Sequence, residues 1–268
     1  MTFRTVLVHA GLDADSPARC AAAAAIARRF AARLVGVGAE AFWPFIRDVD
    51  ADSRLRPLRM QAEAELEQAK AAFLALGLEA EGGVAWRQAV DYPHQAMADF
   101  SRLADLVVAG RPGLINDPVL FPSVDDLLMT CGLPVLLIPD WPEPPPLRTV
   151  IVAWKNTREA RRAVSDSLPF LHGADRVIVA GVAERDDQDA LTLEVADVCE
   201  RLSAHGVQAS PILRTGEAGP ALRALAGETG ADLIVAGAYG HSRLREWVLG
   251  GLTRSLIADK SRCVLFSR

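Results

Sequence analysis

The chain has 268 residues, half of them apolar and 24% charged, with 34 acidic against 29 basic side chains and a formal charge of −5. That composition supplies a packed core for one or two domains, and its mixed charge lacks the basic stripe that a nucleic-acid backbone requires. No run approaches the roughly 20 apolar residues that span a bilayer, and Cys20, Cys131, Cys199 and Cys263 show no metal or redox spacing, so a soluble cytoplasmic chain with free thiols is expected.

In chain order, Arg4-Thr-Val-Leu-Val8 predicts a first strand, and Asp15 or Ser16 is expected to cap an alanine-rich helix with Pro17 in its first turn. Phe42-Trp43-Pro44-Phe45 and the alternating charges of Asp48–Arg59 read either as a surface loop with a longer helix start or as a lid or partner contact. Pro139-Asp-Trp-Pro-Glu-Pro-Pro-Pro146 predicts an extended linker, because proline fixes φ and removes a donor. Beyond it, strands are expected at Thr149–Val152, Arg176–Val182, Gln208–Leu213, Leu233–Ala236 and Cys263–Phe266. Thr157 is the expected N-cap of a helix through Leu168, and Asp186–His205 carries the apolar stripe Leu191, Val195, Val198, Leu202 of a second helix.

The two halves repeat. Ala104-Asp-Leu-Val-Val-Ala-Gly110 recurs as Ala231-Asp-Leu-Ile-Val-Ala-Gly237, with Arg87/Arg214, Pro93/Pro220 and Gly113/Gly240 at the same offset, while Arg4–Val8 matches Arg148–Val152. The first copy holds about sixteen extra residues between Gly38 and Arg87. Strands alternating with helices in both copies predict two α/β domains, residues 1–142 and 147–268, each an open five-stranded parallel sheet flanked by helices. The fifth strands, Pro134–Ile138 and Cys263–Phe266, are apolar edges expected to pair the domains as an intramolecular pseudo-dimer.

Ligands of such sheets bind beyond the carboxyl ends of the strands, which directs attention to the segment from Gly237 to Thr253. Gly237 and Gly240 permit close backbone approach, and Gly250 and Gly251 open a final helix whose free N–H groups suit a phosphate; the same glycines also suit a tight turn and a cap. Tyr239, His241, Ser242, Leu252 and Thr253 lie in or beside this loop, with His241 and Ser242 the best polar candidates. Arg243 and Arg245 add positive potential or form a solvated face with Glu246. The five histidines, His9, His94, His172, His205 and His241, are isolated, each expected at the surface or in a turn, and no P-loop, nucleophile elbow or metal motif occurs.

The spacing Gly237-x2-Gly240-x9-Gly250 after Leu-Ile-Val-Ala resembles the Gly-x2-Gly-x9-Gly-[Ser/Thr] signature of the universal stress protein family, and both repeats resemble its Rossmann-like, adenine nucleotide alpha hydrolase-like domain plan. The resemblance implies a phosphate-holding loop, an aspartate after the first strand that helps hold a nucleoside, and ATP or another adenine nucleotide as ligand, with Mg if a triphosphate. It also implies association of two chains. Two features depart from the pattern. Gly251 stands where a hydroxyl is expected, with Thr253 one turn later, and Ala153 or Trp154 lies near the place of the aspartate. Trp154 is read either as a stacking surface for a base or as packing. The first copy departs further, since Ser123 and Val124 replace the last glycine pair and Pro112, Pro118 and Pro122 reshape the loop, so it is expected to be structural. The leading expectation is a nucleotide-responsive stress or signalling module with an unidentified protein partner. A slow ATP hydrolase and an interaction protein with an empty loop are the alternatives.

Overall fold

The structure, a computed structural model, describes residues 2–41, 51–110, 122–139, 146–183, 188–239 and 251–268. Its contacts divide into two compact units, one built on Phe3–Leu133 and the other on Pro145–Arg268 together with Pro134–Pro139.

The first unit runs β1 (Thr5–His9), α1 (Ser16–Arg29), β2 (Arg33–Ala39), α2 (Ala51–Ala75), β3 (Val84–Ala89), α3 (Pro93–Phe100), a short 3-10 turn at Ser101–Leu103, β4 (Leu106–Gly110) and α4 (Val124–Thr130). Its strands pair in parallel in the order β3, β2, β1, β4. β1 and β4 are buried along nearly their whole length, as expected of a sheet covered on both faces. Asp15 takes the N-cap position of α1, but its side chain makes no capping bond. Asp13 instead accepts from the Asp15 amide at 3.2 Å, because its carboxylate is drawn towards Arg19 of the helix. The charged stretch from Ala51 onwards is helical, while Phe42–Phe45 lies outside the described residues.

The second unit holds β5 (Val135–Ile138), β6 (Thr149–Trp154), α5 (Arg158–His172), β7 (Arg176–Ala183), α6 (Gln188–Ala204), β8 (Ala209–Thr215), α7 (Ala218–Thr229), β9 (Leu233–Gly237), α8 (Gly251–Ala258) and β10 (Cys263–Ser267). Five strands pair in parallel in the order β10, β9, β6, β7, β8. β5 adds to the edge of this sheet, antiparallel to β10, with Leu265 opposite Leu136. Thr157 caps α5 as expected, its hydroxyl oxygen accepting from the Ala160 amide at 3.2 Å. Gly230, at φ 66°, ends α7 in the left-handed conformation that glycine adopts without steric cost.

The repeated Ala-Asp motif has a structural reason. Asp105 accepts from the amides of Arg4 and Thr5 at 2.7 and 2.9 Å, and Asp232 from those of Arg148 and Thr149 at 2.9 and 3.3 Å. In each unit the carboxylate before the fourth strand therefore satisfies amides at the start of the first. No described helix is long and apolar enough to cross a membrane.

Candidate functional site

Strand order in the second unit reverses between β6 and β9, so the crevice outside their carboxyl ends is where a ligand is expected. Ala153 and Trp154 end β6, and Gly237 ends β9. Trp154 pairs with Gly181, and Gly237 pairs with Ser267. Parallel register puts paired residues on one face, and continuing the β6/β9 pairing past Ala153 and Ala236 brings Trp154 beside Gly237 on it.

Helices explain the glycines that flank this tryptophan. A Cβ on Gly237 would lie 2.5 Å from the Ala160 nitrogen and 2.6 Å from the Glu159 carbonyl carbon, so only glycine lets the first turn of α5 descend onto β9. A Cβ on Gly181 would meet Leu191 and Val195 of α6 at 2.9 Å. Half-buried Trp154 stands between these two glycines, its indole N–H donating to Glu194 of α6 at 3.2 Å. The other Glu194 oxygen accepts from Asn156 at 3.0 Å, and Asn156 accepts from Arg161 at 2.9 Å. The loop from β6 to α5 is thus pinned to both helices. Sequence reasoning missed Glu194; the available signal was a tryptophan at a strand end, whose N–H needs an acceptor when partly buried.

Glu159, also missed, is buried on Gly237 at the start of α5. Burial by itself would raise its pKa. Hydrogen bonds from Arg158, its own amide and Thr157 outweigh that effect and hold the carboxyl below its usual range. Lys155, just after β6, and Arg158, at the start of α5, are exposed.

Beyond Gly237, the Ala238 amide donates to the Ser267 carbonyl at 2.8 Å. Tyr239 follows at φ 60°, a left-handed conformation unusual for a residue with a side chain. Gly251 begins α8 and is exposed, with nothing within 4 Å of where a Cβ would stand. Leu252 is half-buried and Thr253 is buried in that helix. The expected contacts at Gly240, His241, Ser242 and Gly250 lie outside the described residues.

The first unit fills the same crevice differently. Arg19 of α1 is buried, donating from Nε to the His9 carbonyl at 2.9 Å and forming a two-pronged pair with Asp13 at 3.2 and 2.7 Å. Its guanidinium lies 3.3 Å from where a Cβ on Gly110 would stand. Burial pushes the Asp13 pKa up, but the hydrogen bonds and charge of Arg19 prevail and lower it. The expectation that every histidine sits at the surface or in a turn fails at His9, which ends β1 with 1% exposure because β1 is packed on both faces up to its last residue.

Residues 148–264 match the family model described as the universal stress protein family. No curated protein matches the chain. Among solved structures, a universal stress protein from Archaeoglobus fulgidus DSM 4304 is 19% identical, covering 98% of each chain at a TM-score of 0.70. A functionally unknown protein from Pseudomonas aeruginosa PAO1 is 16% identical, covering 99% of this chain and 92% of that one at a TM-score of 0.57. Residues 148–264 are thus similar to the universal stress protein family, and across nearly its whole length the chain shares the fold of the Archaeoglobus protein.

Proposed function

We propose that the chain is a nucleotide-responsive stress or signalling module whose second unit binds ATP or another adenine nucleotide, with Mg if a triphosphate, without efficient catalysis. The observation that carries this reading is the position of Gly237. The first glycine of the family spacing ends β9 beside β6, in the crevice where parallel sheets of this order take ligands, within the segment that matches the family model. The start of α8 at Gly251 supports it, because a helix N-terminus presents free amides and partial positive charge to a phosphate. Lacking the family hydroxyl at Gly251 removes a charge-assisted hydrogen bond of roughly 1.5–3 kcal/mol, a weakening of about tenfold or more.

The test is a calorimetric titration of ATP, GTP, AMP and inorganic triphosphate against the wild type, Gly240→Val and Gly251→Ser. ATP is expected to bind the wild type weakly, Gly251→Ser more tightly and Gly240→Val hardly at all. Absence of binding by every phosphate compound at millimolar concentration, or wild-type affinity in Gly240→Val, overturns the site. In the same reading the domains 1–142 and 147–268 pair as an intramolecular pseudo-dimer, two chains associate in the cytoplasm, and the first domain takes no nucleotide. Light scattering and a stoichiometry of one nucleotide per chain check these points.

One observation favours the slow ATP hydrolase as a second reading: Glu159, a buried residue whose carboxyl is held below its usual range, stands in the first turn of α5 where that helix rests on Gly237. Turnover in the wild type that disappears in Glu159→Gln would support it. Equal phosphate release by both would remove it.

A further inference from the structure

The first unit has replaced small residues with polar ones around its crevice. By the alignment of Arg4–Val8 with Arg148–Val152, His9, Asp13 and Arg19 stand where the second unit has Ala153, Thr157 and Ala163. Two of the three are mutually satisfied. Arg19 spends its donors on the His9 carbonyl and on Asp13, and their opposite charges cancel. His9 is different: its ring is buried, and neither Nδ1 nor Nε2 has a hydrogen-bond partner among the described residues. Of the four such buried side-chain atoms, a third is Nδ1 of His94, in the first turn of α3, which also starts beyond the carboxyl end of a strand.

Burial, reinforced by the nearby charge of Arg19 and only partly opposed by Asp13, pushes the His9 pKa down to about 3. The ring is therefore neutral near pH 7, with one N–H to donate and one lone pair to accept. An alanine, as at position 153, would avoid the cost of leaving both unmet, so the imidazole calls for a complementary partner. The ring also lies beside the β1–α1 loop, with Cε1 3.2 Å and Nε2 3.8 Å from where a Cβ on Gly11 would stand.

We propose that the first unit has a binding site of its own at the end of β1, in which His9 reads a small uncharged molecule that both donates and accepts hydrogen bonds. The charge class follows from the surroundings. Arg19 and Asp13 already neutralise one another, and a charged ligand beside the buried neutral ring would lack a counter-ion. Hydroxyl and carboxamide groups share the required chemistry, and phosphate groups do not. The site does not depend on nucleotide binding by the second unit.

The full-length chain, labelled with 15N in its histidines, provides the test. Ring signals are assigned with His9→Phe and followed while nicotinamide, glycerol and phosphate-free adenosine are added separately. Nicotinamide alone shifting His9 would mark an amide site, glycerol alone a hydroxyl site, and adenosine a nucleoside-sized one. Each supports the proposal if the shift saturates below millimolar concentration while His172 and His205 stay still. His9→Phe is expected to abolish the response while keeping or raising the Tm, because it removes two unmet polar atoms. Where His9→Phe does not fold, His9→Asn takes its place in the assignment and the wild-type shift decides. A His9 ring that none of the three moves at millimolar concentration, or that exchanges only with water, overturns the proposal.

Discussion

The two units place the same scaffold under two different crevices. Both hold the start of their first strand with an aspartate before the fourth, Asp105 in one and Asp232 in the other. At the carboxyl ends of the same strands, the first unit has His9, Arg19 and Gly110, and the second has Ala153, Ala163 and Gly237. Small residues in the second unit let backbone approach backbone, so α5 descends onto β9. In the first unit a long side chain fills the space, and a buried ion pair replaces close helix packing. The comparison teaches that the sheet-forming features are kept in both units, while each crevice is held by different means, close backbone approach in one and an ion pair in the other.

The largest expected effect breaks the ion pair. Arg19→Ala leaves the Asp13 carboxylate buried without its partner and should cost about 3–5 kcal/mol in denaturant unfolding, with faster hydrogen exchange in β1 than in β6. Pairing Arg19→Met with Asp13→Leu should restore most of that loss, since two apolar groups leave no stranded charge. A cost below about 1 kcal/mol for Arg19→Ala would show that the pair is better solvated than its burial suggests.

Acid should separate the units next. His9 carries a folded pKa of about 3 against an ordinary 6.5, so the unfolded state takes up the proton first as pH falls. Its contribution is complete above pH 6.5 and is lost on the way down to about 3, amounting to about 3 kcal/mol at pH 4. Asp13, whose folded pKa is also depressed, adds to the loss only as pH falls below its unfolded value of 3.8. β1 amides should therefore lose protection between pH 6.5 and 4, with the amides of β6 as the reference. His9→Phe should flatten the difference, and equal loss in both units would contradict it.

A smaller effect comes from the paired glycines. Gly237→Ala drives a methyl into backbone atoms of α5 and should cost about 1–3 kcal/mol, whereas Gly110→Ala meets only the movable Arg19 side chain and should stay within about 1 kcal/mol. Matching melting temperatures for the two variants would remove the packing distinction. Smallest is Glu194→Ala, expected to cost about 1 kcal/mol and to shift Trp154 fluorescence by exposing its N–H. Glu194→Gln, which keeps an acceptor, should leave both nearly unchanged.

Much of this was legible in advance from particular residues. The Ala-Asp-Leu repeat located the fourth strands and the duplication, and Thr157 announced the start of α5 by its capping hydroxyl. Gly237 was readable because its spacing to Gly240 and Gly250 is a local pattern. Glu194 and Glu159 were not readable: the first reaches Trp154 across 40 residues of chain, and the second matters only because α5 rests on β9. His9 was misread for a related reason. An isolated histidine at a strand end carries no sign of how far the packing reaches along that strand.

By itself, the sequence determined what depends on residues near one another along the chain: strand and helix periodicity, caps, the glycine spacing and the duplication. Tertiary structure decided which of those elements meet. It placed Trp154 between two glycines, set Arg19 over Gly110, and buried an imidazole without a hydrogen-bond partner among the described residues. The physical reason is that hydrogen bonds, desolvation and close packing depend on distance in space, and β1 and β4 are neighbours although almost a hundred residues of chain lie between them.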